Sequence, residues 1–108
     1  MKIGVVGTKT FNNWCVFENK FTEKYISTNI EKIIIKNNSF IDIMAQHFAV
    51  KYNIPIVTFN LNKQFIDNSD ELVAFWDGKS SETKYMIDLA KSHGKKIMII
   101  IINNYNYN

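Results

Sequence analysis

Between Glu71 and Thr83 the chain reads Glu-Leu-Val-Ala-Phe-Trp-Asp-Gly-Lys-Ser-Ser-Glu-Thr, its densest set of groups able to do chemistry. Asp77 and Glu82 are a carboxylate pair of the kind that general acid–base chemistry or a divalent cation uses. Ser80, Ser81 and Thr83 are hydroxyls that hydrogen-bond ligands, and Lys79 adds a cation. Each also has a plain structural job: Asp77 with Gly78 shapes a tight turn, Glu82 favours a helix start, and the hydroxyls cap that helix. The apolar run Leu72 to Trp76 stops at Asp77-Gly78, and helical spacing begins just beyond. This predicts a strand buried on both faces, a turn and a helix N-terminus. Such a junction aims unpaired backbone N–H groups and the positive end of a helix dipole at one point outside the sheet edge, which suits an anion.

A second set follows the first predicted strand, where Gly7-Thr8-Lys9-Thr10 forms a loop. Lys9 can hold an anionic ligand as a point charge, or stand as a solvated loop lysine. Asp42, three residues after Ser39, can touch a ribose or base, or close a capping box. Trp76 can stack on a base or fill the core. His47 and His93 fall on different predicted helices with no Cys or Asp at ligand spacing, so no metal site is expected. Cys15, the only cysteine, sits early in a helix where a thiol's pKa can fall; with no histidine nearby in sequence it reads as a small helix residue. It can make no internal disulfide, which fits a reducing cytoplasmic setting.

The elements that must position these groups follow from composition and periodicity. A chain of 108 residues, 46% hydrophobic and 21% charged, suffices for one domain with one core. Its +3 net charge is spread along the chain, so it does not by itself imply nucleic acid. Ile97 to Ile102 is six residues long, where a membrane span needs about 20, so it reads as a core strand and no membrane segment is expected. Strands are predicted at Lys2–Gly7, Lys32–Lys36, Ile54–Phe59, Leu72–Trp76 and Ile97–Ile102. Trp14, Phe17, Phe21 and Tyr25 recur at helical spacing, as do Ile41, Met44, Ala45, Phe48, Ala49 and Tyr52, and then Met86, Leu89, Ala90 and His93. Thr28-Asn29 breaks the first of these helices. Asn53 and Gly94 close the other two. Asn60 to Asp70 is a loop or one short helix anchored by Leu61, Phe65 and Ile66.

Alternation of strands and helices implies an α/β fold, a Rossmann-like three-layer sandwich whose mainly parallel five-stranded sheet has the order 3-2-1-4-5 and helices on both faces. The domain spans 1–102; residues 103–108, asparagine and tyrosine in alternation, read as a frayed tail. In such sheets ligands bind outside the carboxyl ends of the strands where the order reverses. That crevice lies between the loops Gly7–Phe11 and Asp77–Thr83.

Gly7-Thr8-Lys9-Thr10-Phe11 resembles the Gly-Ser-Arg-x-Phe loop of the SLOG superfamily, in particular its branch of small YspA-like proteins from phages and bacteria. Val73 to Ala90 resembles that branch's strand-four signature, whose turn reads Gly-Lys-Ser-x-Gly-Thr, and the similarity runs over Lys2 to Ile102. The resemblance implies a Rossmann-like domain that binds nucleotides or nucleotide-derived signals; relatives include cytokinin-activating phosphoribohydrolases and a DNA-processing protein that binds single strands. This chain departs from the pattern at three places. The glycine-rich loop after strand two is replaced by Lys36-Asn37-Asn38-Ser39-Phe40-Ile41-Asp42, keeping only the final Asp. The loop after strand three is shortened, with Leu61-Asn62 in place of an Arg-Asn pair. Glu82 stands where the signature has glycine. Side chains in a glycine loop fill the space a phosphate would take, so the cradle after strand two is expected to be lost or remodelled.

Three functions are open on these residues. One is a non-catalytic or weakly catalytic binding domain for a nucleotide or nucleotide-derived ligand, held by Gly7, Thr8, Lys9 and Asp42 on one side and Asp77, Gly78, Lys79, Ser80, Ser81 and Thr83 on the other. Another is hydrolysis of an N-glycosidic or phosphate bond with Asp42 or Glu82 as general base. The third is an interaction domain, or a single-strand binder using Lys9, Lys36 and Lys79 with Trp76. No cofactor is expected beyond a bound nucleotide. Relatives pair through helix faces, which implies a homodimer. Richness in asparagine, lysine and isoleucine fits an AT-rich source such as a phage or low-GC bacterium, placing the protein in a bacterial or host cytoplasm.

Overall fold

Five branched, apolar segments pair into one all-parallel sheet of order β3-β2-β1-β4-β5 in the computed structural model, which describes residues 1–27, 29–36 and 39–102. The strands are β1 (Lys2–Gly7), β2 (Lys32–Ile35), β3 (Ile56–Thr58), β4 (Glu71–Trp76) and β5 (Lys96–Ile101), and the helices are α1 (Trp14–Ser27), α2 (Phe40–Lys51), α3 (Asn62–Asp67) and α4 (Ser81–Ser92). The chain thus has the predicted α/β order and topology. Of the predicted breaks, loop and tail, Thr28, Asn37, Asn38 and residues 103–108 lie outside the described residues.

β1 and β4 are central, so both faces of each must be apolar. On β4, Val73 and Phe75 point into one core with α1 and α2, while Leu72 and Ala74 point into the other with α3 and α4. The aromatic stripe of α1 meets Phe75 there: its ring lies 5.2 Å from Phe17 and 5.2 Å from Phe11, and Phe21 stands 5.0 Å from Phe48 of α2. Asn13 caps α1, its side-chain oxygen accepting the Val16 N–H at 3.1 Å. The outer surfaces of α1 and α2 are joined where Lys51 Nζ donates to the Glu18 carboxylate, a bond that holds the Lys51 ammonium above the usual lysine range.

Several local expectations give way to packing. β3 is three residues rather than six: Ile54 is buried ahead of it, and the Pro55 carbonyl accepts from Ile33 N–H at 2.9 Å. The short helix α3 does form between β3 and β4, but Leu61, 63% exposed, does not anchor it; Phe65 and Ile66 do. His93 is the exposed C-cap of α4, with Nδ1 3.1 Å from Asp67 Oδ1, and Ile87 takes a place on the buried face. β5 lies at the sheet edge, as the predicted order requires, and the run Ile97 to Ile102 is core in part only, with Ile100 and Ile102 buried. The strand pairs only with β4, and Ile101 remains 62% exposed, because a strand at the sheet margin has a neighbour on one side alone. Asn53 (φ 56°) and Gly94 (φ 69°) take the left-handed turns expected of them. Among the described residues no helix is long and apolar enough to cross a membrane.

At the amino edge, away from the crevice, Lys24 Nζ meets Glu71 Oε1 at 2.8 Å with side chains only 11% and 9% exposed. Beside it Asp70 and Lys2 bond reciprocally: the Asp70 N–H donates to the Lys2 carbonyl and Asp70 Oδ2 accepts the Lys2 N–H, both at 2.8 Å. Removing one member of a buried ion pair leaves a desolvated charge. Lys24→Met is therefore expected to lower stability by about 3–5 kcal/mol, and Lys24→Met with Glu71→Leu to recover most of it, as read from urea midpoints. On β1, a Cβ at Gly4 would lie 2.4 Å from Ser69 Oγ and 3.0 Å from the Phe65 ring. Gly4→Ala should lower stability by about 1–3 kcal/mol through overpacking. Combined with Ser69→Ala, which removes the clashing oxygen, it should lose less than the sum of the two single changes in the same titration.

Candidate functional site

The crevice begins where β1 runs out. Thr8 N–H donates to the Phe75 carbonyl at 2.8 Å, and Thr8 Oγ1 accepts the Asp77 N–H at 3.1 Å, so the loops after β1 and β4 are stitched together by a buried hydroxyl. The Thr8 carbonyl then accepts Phe11 N–H at 2.9 Å, turning Phe11 back into the core. Lys9, at the tip of that turn, is exposed.

After β4, Gly78 supplies the positive φ (81°) of the turn. Asp77 Oδ1 accepts both the Lys79 N–H at 2.8 Å and the Ser80 N–H at 2.7 Å. The sequence predicts backbone N–H groups here turned toward an anion; the chain's own carboxylate takes these two. Trp76 Nε1 donates to the Ser80 carbonyl at 3.0 Å and its ring packs on the second core, so the indole is part of the turn rather than a stacking platform. Ser80 Oγ and Thr83 Oγ1 lie 3.3 Å apart at the start of α4.

Between these loops and α2 lies a cavity of about 350 Å³. Its floor is Val5, Val6 and Gly7 of β1. One wall is the end of β2 and the start of α2: Lys36, Ser39, Ile41 and Asp42. The opposite wall is the first turns of α4, with Ser81, Glu82, Thr83, Tyr85 and Met86, and Asn62 closes the side at the start of α3. Lys36 Nζ donates to Asn62 Oδ1, linking β2 to α3. Gly7 is bare for a packing reason: a Cβ there would stand 3.1 Å from Ile41 Cγ1.

Asp42 is 2% exposed and its carboxylate is the hub of the α2 wall. Oδ2 accepts from Ser39 N–H at 3.1 Å and Ser39 Oγ at 3.2 Å, and Oδ1 accepts from Lys36 N–H at 3.3 Å. The predicted capping box is present, and Asp42 ties the end of β2 to the start of α2. The cavity therefore brings together Gly7, Asp42, Ser81, Glu82 and Thr83 of the predicted site residues, while Thr8, Lys9, Asp77, Gly78, Lys79 and Ser80 lie in the loops around it. Asp77 and Glu82 do not share a wall of it. Ser39, Asn62 and Tyr85 join the site unannounced, and Lys36, a candidate in the sequence only for binding single-stranded nucleic acid, lines the cavity. The signal for Lys36 and Asn62 is the rule that residues just past parallel strands face the crevice; Tyr85 is one turn after Ser81 on α4. Among the described residues no three His, Cys, Asp or Glu side chains converge as a metal-ligand group.

The cavity wall carries one formal positive charge, Lys36, and two negative, Asp42 and Glu82. It can offer hydroxyls, an amide, a phenol and a carboxylate to a polar ligand. No protein-family model, curated protein or solved structure matches the chain. Replacing Asp77 by Ala removes the acceptor that holds two turn N–H groups, so stability should fall by about 1–2 kcal/mol in urea unfolding, as for a lost helix cap, with Asp77→Asn losing less.

Proposed function

We propose that the cavity at the carboxyl end of β1 binds a small nucleotide-derived ligand, and that the chain holds this ligand rather than transforming it. The observation that carries the reading is the cavity's place and lining: a polar pocket between the β1 and α4 loops, where the strand order 3-2-1-4-5 reverses. The SLOG resemblance of the two flanking loops supports the same ligand class. Hydrolysis is the weaker reading, because Asp42 already accepts three hydrogen bonds from its own loop, leaving Glu82 as the one carboxylate on the wall available as a general base.

The test is thermal unfolding against nucleosides, nucleotides, dinucleotides and cyclic nucleotides. A ligand at about 100 times its Kd adds roughly 2.7 kcal/mol, which raises the midpoint by on the order of 10 °C in a domain of this size. Ser81→Trp, which places a large ring on the α4 wall at an exposed position, should abolish the shift while leaving the unliganded midpoint within a few degrees. No shift with any class, or a shift indifferent to Ser81→Trp, removes the reading. Measurable turnover of a bound ligand that is lost in Glu82→Gln would replace binding by catalysis.

A further inference from the structure

We infer that the cavity accepts the uncharged base-and-sugar part of its ligand and rejects phosphate, so that its preferred ligand is a nucleoside rather than a nucleotide; this rests on the binding reading above. Phosphate sites at a parallel sheet's carboxyl edge work by leaving loop N–H groups and a helix's positive end open to an anion. Here each of the two loops leading into a cavity wall carries its own anion. Asp77 takes the Lys79 and Ser80 N–H groups ahead of α4, and Asp42 takes the Lys36 and Ser39 N–H groups ahead of α2. A carboxylate at each helix start already balances the dipole that would draw a phosphate.

The remaining charges point the same way. Glu82 adds a carboxylate to the wall, and the cation there, Lys36, donates to Asn62 but keeps its charge, which the two carboxylates outnumber. The chain contains no arginine, so the planar fork that grips phosphate bidentately is absent from every loop. A ligand with a net negative charge would meet a wall of net charge −1.

What the wall does offer matches a nucleoside. Glu82 is an acceptor for ribose hydroxyls or an exocyclic amine, and a bond from either to a carboxylate is charge-assisted. Ser81 supplies a hydroxyl beside it, and the half-exposed Tyr85 ring, one turn further along α4, is an aromatic face for a base. A volume of about 350 Å³ is near the lower end for ligand pockets and enough for one base and sugar.

The experiment is calorimetric titration of the full chain with adenosine, guanosine, cytidine and uridine, each beside its 5′-monophosphate, at low and at high salt. We expect at least one nucleoside to bind tenfold or more tightly than its monophosphate, and the gap to narrow as salt screens the wall. Glu82→Gln should shrink the gap and Glu82→Lys should close or reverse it, while inorganic phosphate should fail to displace the nucleoside from the unaltered chain. A monophosphate that binds as tightly as its nucleoside, or more tightly, overturns the exclusion and leaves the binding reading standing. A gap untouched by Glu82→Lys also overturns it, since the discrimination would then arise away from this wall. If none of these probes binds, the inference and the binding reading fall together.

Discussion

The structure depends on how closely the helix layers approach β1. That strand lies in the middle of the sheet with helices against both faces; at Gly4 there is no room for a methyl group, and at Gly7 one would fit only if its neighbour gave by a few tenths of an ångström. Gly4 faces Ser69 and Phe65 on one side, and Gly7 faces Ile41 on the other. Close-packed interiors do not yield to an added carbon without shifting their neighbours. The contact at Gly7 sets how near the start of α2 comes to the sheet, and with it one wall of the cavity. The contact at Gly4 seats the turn between α3 and β4, which fixes where β4 enters the sheet.

Stability and site are separated along the strands. The buried Lys24–Glu71 pair and the reciprocal Asp70–Lys2 bonds hold the amino edge, while the cavity opens at the carboxyl edge. The phenylalanine cluster around Phe75 joins the two, because Phe75 packs on Phe11 and Phe17 through its side chain and receives the Thr8 N–H through its carbonyl. A site held by a rigid strand end in this way needs little ordering when a ligand arrives, which favours binding by a preformed pocket.

Electrostatically, the crevice answers its own demand. Parallel sheets concentrate helix N-termini and loop N–H groups at one edge, and those groups need partners. In this chain Asp77 and Asp42 provide them from within. The two loops can then be ordered without a bound anion, and the side chains the cavity presents to a ligand are hydroxyl, amide, phenol, ammonium and carboxylate.

The order of strands and helices, the identity of the buried faces of α1 and α2, the capping box at Ser39 and Asp42, and the left-handed turns at Asn53 and Gly94 were all legible in the residues. Each depends on local spacing or on one residue's backbone preference. Leu61 was not legible as an exposed residue, nor Ile99 and Ile101 of the edge strand β5, because hydrophobicity reports what a side chain prefers and not whether a neighbour is there to cover it. The same limit applies to the site. Asp77, Ser80 and Thr8 have the chemistry of ligand-binding groups, and only the folded loops decide that Thr8 accepts the Asp77 N–H, that Asp77 accepts the Lys79 and Ser80 N–H groups and that the Ser80 hydroxyl faces Thr83. The sequence by itself determined which elements form and which end of the sheet opens, since periodicity and handed crossovers are properties of the chain. Only the tertiary structure decided which polar groups are consumed in holding that end together and which still face the cavity, because hydrogen-bond partners distant in sequence exist only once the strands are side by side.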